Sequence, residues 1–575
     1  MPYQAPSRDV QSPSKPGSGS AQNFIVRFDV ESSRLLLRDD LKHRVEFQDR
    51  AILPSFLAFQ NVKDSTVTRC HRDIEMSRKA ELSMLKQAIK DADEDAMYSP
   101  LVVLTLAAQR FTDPNTFIQA ALFDEIEHSR TYDTASFYRR IVSTSSAVLQ
   151  NEGQELPPLK PDFVVVELEP TVSDNNRVLR RQVSAYVEVK SKEIDRPEPQ
   201  FHTTVKKVTG QAADYSNLIF SSRPFHIFAI GMLIFGSKFC VSISDRAGIR
   251  FSEEYDIFEN LDIFIRIVRR LTCELSPVDL GHDPTVELLS GQTYYQKQYP
   301  RFKVGMGGAR GRSWVTYGPP LFVSISFLGR GTSVWYVTGP HGRSILKVAW
   351  RDALRKSESD IYSLVGAGHP GVARFLDGGD VLYPSQAGRA IKIGISHIRN
   401  RQVMDQDNRV LHRVLMEPVG RMLWDFDNDN QFILGFRAAL EGEFWLNCQI
   451  TNCNAYAHLG HRYLHRIGIL HRDISAGNIY LWDHRDNQNP LSPSAGQEGF
   501  IADLELASCT PASTVSVLRE RPPPRLGSGA TPIPIPSNNP CRTSPLRGVF
   551  HDAPSPPKSR GPQMTVQSVP QSRCS

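Results

Sequence analysis

Three observations predict an α+β fold in two ordered regions. Between residues 23 and 288, short apolar runs flanked by polar turns alternate with segments of helical spacing. A second region, 321–508, opens on a glycine-x-glycine turn joined to a lysine-bearing strand. It closes on a polar loop, His471 to Asn478, followed by an apolar strand that ends at Asp503. At 575 residues the chain exceeds what one hydrophobic core supports, so more than one domain is expected.

Residues 1–22 are rich in Ser, Pro, Gln and Gly, lack the apolar centre of a signal peptide, and read as a disordered tail. In the region 23–288, Arg78 to Asp91 has the charge and apolar spacing of a helix, as does Asn260 to Leu271. Phe163 to Leu168, Ala185 to Val189, Phe225 to Phe235 and Phe239 to Ser244 read as strands. The run Phe225 to Phe235 is the longest apolar stretch, about half of the roughly 20 residues that cross a bilayer, so a buried strand is expected and no membrane partner. Residues 289–320, with GMGGARGRSW, keep no apolar period and read as a linker. Residues 509–575 are dense in Pro, Ser and Arg and read as a second disordered, solvated tail.

A net charge of +5 over this length points to no nucleic-acid or membrane surface for the whole chain. Eight scattered cysteines with no CxxC pair fit free thiols in a reducing compartment, so an intracellular location, cytoplasm or nucleus, is expected.

The strongest chemical signal is HRDISAGNIY, from His471 to Tyr480. Phosphoryl transfer needs a carboxylate beside the incoming hydroxyl and a cation ligand a fixed distance along the same loop. Asp473 and Asn478 have those types at that spacing. Another HRD, at His71, Arg72 and Asp73, has Arg78 where the second ligand belongs and is a control for chance. Downstream, FIADLELA runs into Asp503, a candidate Mg²⁺ ligand. Upstream, FLGRGTSVWYV carries Gly329 and Gly331, where the absence of Cβ lets backbone close over phosphates. A turn at Gly339-Pro340-His341-Gly342 leads into SILKVAW, whose Lys347 is the candidate grip on the α and β phosphates of ATP. Glu358 is the best-placed acid to pair with it and reads equally as a residue on a solvated helix face. Met416 and Glu417, in RVLMEPVG, sit where a hinge would offer backbone groups to adenine.

At these residues the chain resembles the fungal-type protein kinases, through GRGTSVW, ILKVAW, RVLMEPVGRML, GHRYLHRIGILHRDISAGNI and FIADLELA. Earlier segments are also similar: EVK, RPFHIFAIGMLIFG, DRAGI and LGHDPTV. The resemblance covers roughly residues 23–508 and implies a bilobal protein-kinase-like fold, a protein Ser/Thr substrate, ATP and Mg²⁺. In those terms Asp473 is the base, and Asn478 and Asp503 are metal ligands. Val334, Ser475 and Glu505 depart from the pattern, replacing a third loop glycine, a lysine and the DFG glycine. Residues 443–460 interrupt a helix of the family pattern, as a retained intron would, and no APE segment follows Ala507, as after a shifted frame. An incomplete C-lobe is therefore expected, with a scaffold lacking catalysis as the alternative function.

The N-terminal region contains Pro161-Asp162, Glu188-Val189-Lys190 and Gln211 to Tyr215 in the order PD…ExK…QxxxY. That order resembles the PD-(D/E)xK nucleases. It implies a metal held by Asp162 and Glu188 with Lys190 beside the developing charge, and nucleic acid as a partner only in that case. An exposed strand face with alternating charge gives the same string.

Overall fold

The computed structural model describes residues 37–110, 139–144, 148–150, 160–167, 177–199, 204–306, 312–339, 342–366, 369–384, 390–417, 419–440, 460–482 and 499–509. The expected tails lie outside the described residues, apart from Cys509, and so do 443–459 of the interrupting segment. The described residues belong to one compact unit ending at Val517. They form a mixed, α+β arrangement.

The first sheet is built where the sequence is most apolar. Strands β1 (Val45–Glu46), β2 (Arg139–Ser143), β3 (Phe163–Glu167), β4 (Val183–Lys190), β5 (Ala229–Phe235), β6 (Lys238–Asp245) and β7 (Gly248–Phe251) lie in the order β1-β7-β6-β5-β4-β3-β2, and β8 (Tyr255–Asp256) pairs with β6. β4 and β5 are parallel and joined through helix Lys207–Ser222, the crossover a parallel pair requires. Both faces of β4 are covered, which explains its near-continuous apolar character. Ala185, Val187 and Val189 face helices Asp64–Ser77, Glu94–Arg110 and Leu261–Arg269, while Val183 and Tyr186 face the crossover helix. A Cβ at Gly231 on β5 would lie 2.2 Å from the Tyr186 ring, so glycine there makes room for the tyrosine.

The second sheet is wholly antiparallel. It orders β9 (Val286–Leu288), β10 (Phe302–Gly305), β11 (Ser313–Thr316), β13 (Ser333–Gly339), β14 (Gly342–Asp352), β16 (Arg409–Glu417) and β15 (Arg374–Asp380), with β12 (Phe322–Val323) against β13. The 289–320 stretch is thus corrected: it supplies β10 and β11. Phe302 and Val304, then Trp314 and Thr316, alternate inward over only three residues each, too briefly to stand out among the surrounding Gly and Arg.

One apolar core runs through both sheets, from Ile52 to Leu415. Phe225 stacks on Trp335 with ring centroids 4.8 Å apart and meets Phe302 at 5.1 Å. Beside it, fully buried Arg413 on β16 pairs with Asp283 at 2.5 Å and donates to Thr285 Oγ1 at 2.8 Å. Residue 288, where composition divides the chain, is therefore not a seam in the packing. A third small sheet, β17 (Gly420–Met422), β19 (Ile479–Trp482) and β20 (Gly499–Ile501), packs with helices Asp429–Leu440 and Gly460–Arg466. A two-residue ladder joins β18 (Ile469–Leu470) to β21 (Ser508–Cys509). No helix among the described residues is long and apolar enough to cross a membrane.

Candidate functional site

Alternation along β14 determines where the site lysine points. Leu346, Val348 and Trp350 face the large core, so Lys347 projects from the opposite face. Helix Glu358–Val365 lies there. Its first turn is capped by Ser357, whose Oγ accepts from the Asp360 N–H at 3.1 Å, and its apolar side buries Ile361, Tyr362 and Val365. That places Glu358 inward, 4% exposed, with Oε2 2.9 Å from Lys347 Nζ. Asp503 Oδ1 lies 2.8 Å from the same nitrogen and Glu505 Oε2 3.2 Å. Three carboxylates therefore surround one ammonium.

The electrostatics follow from burial. Burial alone would discharge Lys347, but Asp503, Glu358 and Glu505 overcome it and hold its pKa well above the ordinary lysine value. Burial lifts Glu358 to about 7, against the opposing pull of Lys347. For Asp503 the balance tips the other way: burial raises it, Lys347 outweighs burial, and its pKa lies below the usual carboxylate value.

The polar loop comes to the same place. His471 is fully buried, and burial lowers its pKa, so the ring is neutral. Its Nε2 donates to the Ala502 carbonyl at 3.0 Å, and its Nδ1 accepts from the Asp473 N–H at 3.3 Å. The histidine thereby ties the loop to the strand that carries Asp503. Asn478 Nδ2 donates to Asp473 at both the carbonyl, 2.9 Å, and Oδ2, 3.2 Å. Arg472 and Asp503 adopt positive φ, 68° and 67°, which costs a non-glycine residue of order 1–3 kcal/mol and marks over-determined sites. The Asp503 N–H also donates to the Tyr362 hydroxyl at 3.2 Å, joining the Asp503 turn to the Glu358 helix.

Gly329 and Gly331, with φ of 90° and 48°, lie in the loop before β13. Between them Arg330 pairs with Glu505 at 3.0 Å and accepts the Trp350 N–H at 2.7 Å. Met416 and Glu417 close β16. Both are buried, and Glu417 pairs with Arg374 on β15. Lys347, Glu358 and Asp503 are thus brought into contact, as are Asp473 and Asn478, and Arg330 links the glycine loop to the first set. Sequence reasoning missed Arg330 and Tyr362. Glu505 was visible only as an acid replacing a glycine.

A second cluster forms on the first sheet. Glu188 and Lys190, two apart on β4, share a face and meet at 2.8 Å. Gln211, on the crossover helix, donates to Glu188 at 2.8 Å, and Lys190 reaches Glu94 at 3.3 Å and Asp162 at 4.0 Å. Asp162 accepts from the Tyr98 hydroxyl and the Val189 N–H, both at 2.8 Å. Tyr215 turns to the Lys160 carbonyl at 3.3 Å. Burial, then the Asp162 charge, raises Glu188 to about 7. Glu94 and Tyr98 carry no motif and were not predicted.

A search among curated proteins finds no match. A family profile described as fungal protein kinase matches residues 160–451 and 455–522, well over half of the chain. The match starts just before Asp162 and breaks inside the interrupting segment. With that span and these residues within it, the chain belongs to the fungal protein kinase family.

Proposed function

We propose that the site around Lys347 transfers the γ-phosphoryl group of Mg·ATP to a protein Ser or Thr hydroxyl. The observation that carries this reading is the buried Lys347, held by Glu358 and Asp503. The ion pair with Glu358 fixes the ammonium where nucleotide phosphates would meet it. Asp473, half-exposed at the loop, accepts the proton of the incoming hydroxyl, and Asn478 orients its carboxylate. Gly329 and Gly331 let the backbone approach the phosphates, and the end of β16 at Met416 and Glu417 receives the base. The Asp503 carboxylate and the Asn478 amide oxygen are hard donors of the kind Mg²⁺ prefers. When bound, the ion neutralises charge on the phosphates. Glu505 takes up part of Lys347's bonding capacity, so the phosphates compete with it for the ammonium.

The test is Mg·ATP binding by the full chain, measured by calorimetry, with transfer of labelled phosphate to a generic protein acceptor. Asp503→Asn is expected to weaken Mg·ATP binding by at least about tenfold, the loss of one charged metal contact. Absence of wild-type nucleotide binding would sink the reading, and binding without transfer would assign the chain to a nucleotide-sensing scaffold.

A second reading, of the β4 cluster, is favoured by the convergence of Glu94, Asp162, Glu188, Lys190 and Gln211 from separate elements. Glu188 is 2% exposed and its Oε1 meets both Lys190 and Gln211, a buried carboxylate of the kind a divalent cation takes. The chemistry this fits is hydrolysis of a nucleic-acid phosphodiester, with Lys190 facing the developing charge. Nicking of plasmid DNA by the full chain with Mn²⁺, lost in Glu188→Gln, is the expected result. Wild-type protein that leaves the plasmid intact rejects it.

A further inference from the structure

The glycine loop is held from outside its own sheet. Phe327 and Leu328, which enter the loop, are buried among the residues of the first sheet and its crossover helix, 1% and 8% exposed. Arg246, in the tight β6–β7 connection, grips the loop twice. Its carbonyl accepts the Gly329 N–H at 3.1 Å, and its Nη1 donates to the carbonyls of Ser326 at 2.6 Å and Phe327 at 3.3 Å. The guanidinium lies over the Phe220 ring, 4.3 Å from its centre. It also fills the space beside Gly331, where a Cβ would come within 2.4 Å of it. The connection is itself fixed: buried Asp245 receives two bonds from Arg399, each 2.7 Å, and accepts the Ala247 N–H at 2.8 Å.

From this arrangement we infer that Arg246 is a positioning residue for nucleotide binding, through which the N-terminal sheet sets the glycine loop over the phosphates. The inference rests on the ATP reading of the Lys347 site. A loop that covers phosphates must be ordered when nucleotide arrives, and ordering each residue costs backbone entropy. Arg246 has already restricted those residues: one nitrogen, Nη1, donates to two adjacent carbonyls while the guanidinium plane rests on Phe220. From the loop the linkage continues inward, because Arg330 pairs with Glu505, which contacts Lys347. Arg246 acts through the loop, by its bonds to Ser326, Phe327 and Gly329.

The experiment uses the full chain and three variants, Arg246→Ala, Arg246→Lys and Gly331→Ala, with Gly331→Ala also made in the Arg246→Ala background. Arg246→Ala is expected to speed amide hydrogen exchange at 326–332 without nucleotide and to raise KM for ATP about five- to tenfold, leaving kcat at saturating ATP within about twofold. Arg246→Lys should recover part of the KM. Because the guanidinium occupies the Cβ position of residue 331, Gly331→Ala should raise KM less in the Arg246→Ala background than in wild type. Unchanged loop exchange in Arg246→Ala, with nucleotide binding intact, overturns the positioning role alone. Faster exchange with unchanged or lower KM overturns it too, since the loop would then be ordered independently or held away. Wild-type protein that binds no nucleotide rejects the kinase reading and this role together, while the exchange data still report whether Arg246 holds the loop.

Discussion

Asp473→Asn is expected to lower kcat for phosphoryl transfer by about 10²–10⁴-fold, the usual worth of a positioned general base, with Mg·ATP affinity within about twofold. The separation follows from the contacts. Asp473 is bonded to Asn478 and, through its N–H, to His471, and it takes no part in the ion-pair cluster around Lys347. Its loss therefore removes a proton acceptor without removing a phosphate contact. The substitution keeps shape and the backbone bonds, so loop geometry is retained. Steady-state kinetics on a protein acceptor, paired with nucleotide titration, make the comparison. A variant that keeps kcat within tenfold of wild type would remove Asp473 from the role of base.

The sequence was readable where chemistry and local pattern coincide. The helix expected at Arg78 to Asp91 is found at Lys79–Asp91, and Ala185 to Val189 and Phe239 to Ser244 lie within strands. The run Phe225 to Phe235 becomes a strand only from Ala229. Phe225 is drawn into the Trp335 cluster, and His226 bridges to His282, contacts between segments about 50 or more residues apart. Lys347 and Asp503 stood out in the sequence by residue type and chain order, and the fold brings them into contact with Glu358. Glu358 was ambiguous because helix spacing does not say which face meets a partner. The Ser357 cap and the burial of Tyr362 resolve that. Arg330, Tyr362 and Arg246 were hidden for a simpler reason: each acts across a gap of at least 80 residues and follows no local period.

The largest effect on stability is expected from Lys347→Met. Methionine has nearly the same volume, so little cavity forms, and what changes is the charge. Lys347 is 5% exposed and meets Glu358, Asp503 and Glu505. Removing one partner of a buried ion pair costs about 3–5 kcal/mol, because the remaining charge is left without compensation. Here three carboxylates remain, of which Glu505 keeps a paired cation, Arg330, and the ammonium meant for the phosphates is gone, so nucleotide binding should be lost along with the stability. The cost depends on pH in a defined direction. Burial already lifts Glu358 to about 7 in the presence of Lys347, whose charge pulls it down. Without that charge the folded pKa rises further, while the unfolded value stays near 4.5. The folded variant then holds a proton that the unfolded chain releases, so its stability falls as pH rises from about 5 through 7 and beyond. In wild type, Lys347 compensates the ionised Glu358 over the upper part of that range. Denaturant unfolding of both proteins at pH 5.5 and pH 8 should therefore show a larger deficit for Lys347→Met at pH 8. A deficit equal at the two pH values would mean that Glu358 does not take up the missing charge, and one below about 1 kcal/mol would mean that the carboxylates are solvated well enough to do without the lysine.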